Sequence, residues 1–153
     1  MRPETLEIAR RTNSVLRQYM NIQNDLFKPS LRKLIRLPGI YTPVDYQGNR
    51  LSLTAISVEL EDIKRSIRDF RPDNESEDGK FLILQRAYVS GMARAVSCVK
   101  LITEKLYQRS MGNKEYSKKD YGEDIEVFKK VELEFLEIGL KLNKIIHEKQ
   151  QSR

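Results

Sequence analysis

The sequence predicts an all-α protein, a helical bundle of four to five helices. Three observations predict it. Apolar residues step by threes and fours along most of the chain, the helical signature. Glycine and proline are few and gather at a handful of points, where helices end. A length of 153 residues with 39% hydrophobic content supplies one substantial core, so residues 1–153 read as a single domain.

The first helix begins at Pro3, which suits a first helical turn, with Glu4 and Glu7 complementing its positive end. Ala9, Leu16, Tyr19, Met20, Gln23 and Leu26 keep helical spacing to about Phe27. Pro29 then ends or kinks it. The stretch KPSLRKLIRLPG, residues 28–39, reads as a short basic helix stopped by Pro38-Gly39. Its Lys28, Arg32, Lys33 and Arg36 share an arc of about 140°, opposite Leu31, Leu34, Ile35 and Leu37. Residues 39–52, with Pro43 and Gly48-Asn49, read as an irregular loop.

The next helix carries Leu53, Ile56, Leu60, Ile63, Ile67 and Phe70, a near-heptad seam. Residues 72–79 read as an acidic loop. A long helix spans about 80–109, with Phe81, Leu84, Tyr88, Met92, Ala95, Val99, Ile102 and Leu106 as its apolar arc. Ala87, Gly91 and Ala95 lay small residues along one side of it, which favours close helix packing. Residues 110–122 read as a basic loop with two tyrosines. The last helix, about 123–149, repeats the seam with Phe128, Val131, Phe135, Ile138, Leu142 and Ile145. There is no internal repeat.

Composition narrows the function classes. No apolar run approaches the roughly 18 residues of a membrane span, and the polar N-terminus does not read as a signal peptide. A single cysteine, Cys98, excludes an internal disulfide, so a cytoplasmic protein that avoids membranes is expected. Enzyme chemistry finds few candidates. His147 is the only histidine, near a helix end, and Cys98 reads as a small buried hydrophobe with no activating histidine near it in sequence. Two such residues make no zinc site, and no glycine-rich phosphate loop exists. No catalytic residue, metal or cofactor is expected.

What remains is charge. The net charge is +6, unevenly spread: +5 over residues 1–50, −4 over 51–78, +6 over 79–122 and −1 over 123–153. On the long helix, Lys80, Arg94, Lys105 and Arg109 lie within about 60° of arc. That stripe runs on into Lys114, Lys118 and Lys119, among Tyr116 and Tyr121, while Tyr41 and Tyr46 follow the first basic patch. Lines of cations release counterions from a phosphate backbone, and aromatics stack on unpaired bases. The expected function is therefore sequence-independent nucleic-acid binding. The backbone contacts would be Lys28, Arg32, Lys33, Arg36, Arg94, Lys105, Arg109, Lys114, Lys118 and Lys119.

The segments SLRKLIRL, GKFLILQRAYVSGMARAVSCVKLITEKLYQRS and EVFKKVELEFLEIGLKLNKII together resemble the small subunits of CRISPR effector complexes. That resemblance, in size, helicity and charge, implies a non-catalytic subunit of an antiviral nucleoprotein complex. It would be present in several copies, stabilising guide, target or displaced strands beside other subunits. The rival is a helical protein–protein adaptor or assembly factor. In it, the 53–70 seam would be shared with a partner, and the acidic loop would meet the basic patch of a neighbouring copy.

Overall fold

A computed structural model describes residues 1–27 and 44–151, which form four helices. They are α1 (Pro3–Phe27), α2 (Tyr46–Asp69), α3 (Glu77–Ser110) and α4 (Lys118–Gln151). The short basic helix expected at 28–37 lies outside the described residues, and the described bundle has four helices.

Caps set the starts of α2, α3 and α4. Asp45 accepts a hydrogen bond from the Gly48 amide at 2.9 Å, so α2 begins at Tyr46. Gly48-Asn49 therefore sits within the first turns of a helix, and the expected irregular loop at 39–52 is corrected over residues 46–52. Of the acidic stretch at 72–79, residues 72–76 precede the next helix and only Glu77, Asp78 and Gly79 lie within it. Asp73 accepts from the backbone amides of Glu75 and Ser76, and Ser76 Oγ accepts from the Gly79 amide at 2.9 Å. Glu77 and Asp78 then lie in the first turn of α3, where negative charge is favoured.

The other end of α3 closes as a Schellman motif. The Asn113 amide donates to the Gln108 carbonyl and the Gly112 amide to that of Arg109, each at 3.1 Å. Gly112 has φ 102°, the conformation that glycine adopts without strain. A reciprocal box starts α4: the Asp120 amide donates to Ser117 Oγ at 3.0 Å, and the Ser117 amide to Asp120 Oδ2 at 3.3 Å. The basic loop is thus only residues 111–117, shorter than the expected 110–122.

The helices run up, down, up, down. Asp78 at the start of α3 accepts from the Arg2 amide (2.8 Å) and Thr5 Oγ1 (2.9 Å), so α1 and α3 start at the same end. Arg50 at the start of α2 bonds Glu104 near the end of α3 at 2.6 Å. The bundle is organised around α3, which packs against each of the other three helices. Leu53, Ile56, Leu60, Ile63 and Ile67 of α2 are all buried in this core, with Val15, Tyr19, Phe81, Met92, Val96 and Val99 among their fellow core residues. The 53–70 seam is spent inside the chain, so it offers no face to a partner. Phe70, at its end, is partly exposed.

Between α1, α3 and α4 lies an aromatic layer. Phe135 of α4 sits 6.3 Å from Tyr19 and 5.5 Å from Tyr88, centroid to centroid. Phe27 lies 5.9 Å from Phe128. Gly91 lets the backbones approach here: a Cβ at that position would fall 2.6 Å from Phe135 Cβ. Gly91 and Ala95 of the small-residue strip are buried, whereas Ala87 is exposed. Close packing accounts for Gly91.

Candidate nucleic-acid interface

The cations singled out in the sequence meet different fates. Lys28, Arg32, Lys33 and Arg36 lie outside the described residues, as does Tyr41. Of the second group, Lys105 and Arg109 are engaged within the fold. Lys105 Nζ pairs with Asp124 Oδ2 at 2.9 Å and lies 5.1 Å above the Tyr116 ring. Arg109 donates to the Tyr116 carbonyl. Both cations thereby hold the loop 111–117 against the start of α4.

The loop tyrosine is a structural plug. Tyr116 is buried, its hydroxyl donates to Asp124 Oδ2 at 2.7 Å, and its ring meets Tyr121 edge-on at 6.2 Å. Burial, then the Asp124 hydrogen bond and charge, push the Tyr116 hydroxyl well above its ordinary range. Burial alone would raise the Asp124 carboxyl, but Lys105 and Tyr116 outweigh it and hold the group below the usual carboxylate value. A base has no open ring face of Tyr116 to stack on. The shallow cleft beside it is lined by Glu115, Asp120, Glu123 and Asp124 with Lys105 as its one cation, a lining that repels phosphate.

The unspent charge lies elsewhere. Arg94 is exposed on the outward side of α3, and Lys114, Lys118 and Lys119 are exposed around the loop; none of the four has an ion pair among the described residues. Two further cations join them, Lys80 and Arg86, also exposed and without an ion pair there. Arg86 falls outside the 60° stripe, so the arc does not include it. From Lys80 to Thr103 there is no acidic residue at all. That run was legible and is a better signal than the arc. Lys80 and Arg94 stand about 21 Å apart along the helix axis.

By contrast, the cations of α1 and α2 are largely paired with acids. Arg11 of α1 reaches Asp62 at 2.6 Å and Glu59 at 2.9 Å on α2, and these acids raise its already high pKa against the opposing effect of burial. Arg50 pairs with Glu104.

Among the described residues, no group of three or more His, Cys, Asp or Glu side chains gathers to hold an ion. Cys98 is half-buried, and burial pushes its thiol up, away from the reactive thiolate. His147 is exposed, 3.0 Å from Gln151. Among the described residues no helix is long and apolar enough to cross a membrane. No protein-family model, curated protein or solved structure matches the chain.

Proposed function

We propose that the chain is a non-catalytic, sequence-independent nucleic-acid-binding subunit of a larger nucleoprotein assembly, in keeping with its resemblance to CRISPR effector small subunits. The observation that carries this is the acid-free outward side of α3. Lys80, Arg86 and Arg94 are exposed there without ion pairs, while Arg11 and Arg50 on the neighbouring helices are neutralised. A strand lying along α3 would meet these cations first and reach Lys114, Lys118 and Lys119 past its end. Lys105 and Arg109 hold the loop rather than the strand, so Arg86 and Lys80 replace them in the contact set. The segment 28–36 supplies a second group of four cations, Lys28, Arg32, Lys33 and Arg36.

Fluorescence anisotropy with labelled single-stranded RNA, single-stranded DNA and duplex, from low to physiological salt, tests this. Affinity should fall linearly with salt on logarithmic axes. Each contact removed should lower that slope by about one unit, so Arg86→Ala/Arg94→Ala should lower it by about two. Lys105→Ala should leave the slope nearly unchanged. Absence of binding at low salt, or a slope indifferent to Arg86→Ala/Arg94→Ala and Arg32→Ala/Arg36→Ala alike, would end the proposal.

A further inference from the structure

The outward side of α4 carries a feature that nucleic-acid binding does not use. Leu133, Leu136 and Leu140 are 60%, 46% and 70% exposed. Spaced by three and four, they share an arc of about 60° facing away from Phe128, Phe135 and Leu142. Other exposed aliphatic residues stand apart: Leu51 and Val58 on α2 are seven positions apart, and Leu101 on α3 is eighteen from Ile83. Among the described residues, only α4 carries three exposed leucines at this spacing.

Beside the leucines runs a flank of alternating charge. Glu126, Lys130, Glu137 and Lys144 lie within about 40° of one another, on the arc next to the stripe. All four are exposed. The order minus, plus, minus, plus has a simple consequence when the helix meets a reversed copy of itself. With a twofold axis passing near residues 134 and 135, Leu133 falls opposite Leu136 of the second copy. Lys130 then falls opposite Glu137, and Glu126 opposite Lys144. Leu140 meets the aliphatic stem of Lys129, a side chain that can bury its methylenes and keep its charge in water.

We propose that α4 docks antiparallel on α4 of a second copy of this chain, forming a twofold dimer. The interface is isologous, with the leucine stripe at its centre and the charge flank fixing direction and register. It leaves the acid-free side of α3 open, and it stands whether or not α3 binds nucleic acid.

Sedimentation velocity over a micromolar concentration series tests it, with circular dichroism showing that each variant stays helical. Wild type should sediment as a dimer that dissociates on dilution. Leu136→Lys should raise the dissociation constant about thirtyfold or more, because the symmetry places the change twice in the interface centre. Glu126→Lys should weaken the dimer by setting two lysines against each other, and Glu126→Lys/Lys144→Glu should restore it. A wild-type monomer throughout the series overturns the proposal. So does a dimer indifferent to Leu136→Lys, or a double exchange no better than the single one.

Discussion

Helices α2 and α4 carry the same spacing of apolar residues and use it differently. In α2 the whole run from Leu53 to Ile67 is buried, between α1 on one side and α3 on the other. In α4 only Phe128, Phe135 and Leu142 are buried, while Val131, Ile138 and Ile145 are partly covered. The backbone of α4 comes close to that of α3 alone, and α1 reaches it through large side chains such as Tyr19 and Phe27. A seam in sequence therefore says that a helix has an apolar face, not how many neighbours will cover it. The sharpest way to break this comparison is to truncate one leucine on each helix. Leu60→Ala on α2 should cost about 2–5 kcal/mol. Leu140→Ala on α4 should fall within about 0.5 kcal/mol of wild type. Urea denaturation at concentrations low enough to keep the chain monomeric reads both. Equal losses would mean that the α4 stripe is already covered within one chain.

The spacing between helices gives a second contrast. Gly91 lies where α3 and α4 touch, and an added methyl would collide with Phe135 Cβ at 2.6 Å. Gly91→Ala should cost about 1–3 kcal/mol as the helices separate. Gly122, in the first turns of α4, has open space around it. There Gly→Ala should stabilise by about 0.4–1 kcal/mol, through the lower entropy of the unfolded chain. Matched urea midpoints for the two variants would show the sign change. A neutral Gly91→Ala would mean that the α3–α4 contact relaxes freely.

Helix existence was legible from period alone, because each long helix buries one face. Helix starts were not, where local composition and capping pulled apart. Gly48-Asn49 looks like a turn, yet Asp45 caps a helix through it. Lys118, Lys119 and Tyr121 look like loop residues, yet the Ser117–Asp120 box starts α4 before them. That box was readable at its three-residue spacing. The candidate interface was legible only as a set of charge types. Which cations are spent depends on partners brought up by the fold: Asp124 lies nineteen residues from Lys105, and Asp62 fifty-one from Arg11. No local pattern reports such pairs. The acid-free run from Lys80 to Thr103 narrows this limit, since Arg86 and Arg94 have no acid within a helical turn of them along α3.

The smallest expected effect tests how the start of α1 is tied to the start of α3. Asp78 accepts from the Arg2 amide, which chiefly holds its carboxyl below the usual range against the opposing effect of burial, with help from Thr5 and the Arg2 side chain. A carboxylate with a lowered folded pKa stabilises the fold fully above its unfolded value of about 3.9. That contribution is lost as pH falls through the folded value below it. Asp78→Asn keeps the shape but removes the charge, and should cost about 0.5–1.5 kcal/mol at neutral pH. Because the amide does not titrate, the difference from wild type should shrink as the pH drops below about 4. Thermal unfolding of both proteins across the acid range measures it. A difference that stayed constant into strong acid would mean that shape, not charge, carries the Arg2–Asp78 tie, and that α1 is held chiefly by the side chains it buries against α2 and α3.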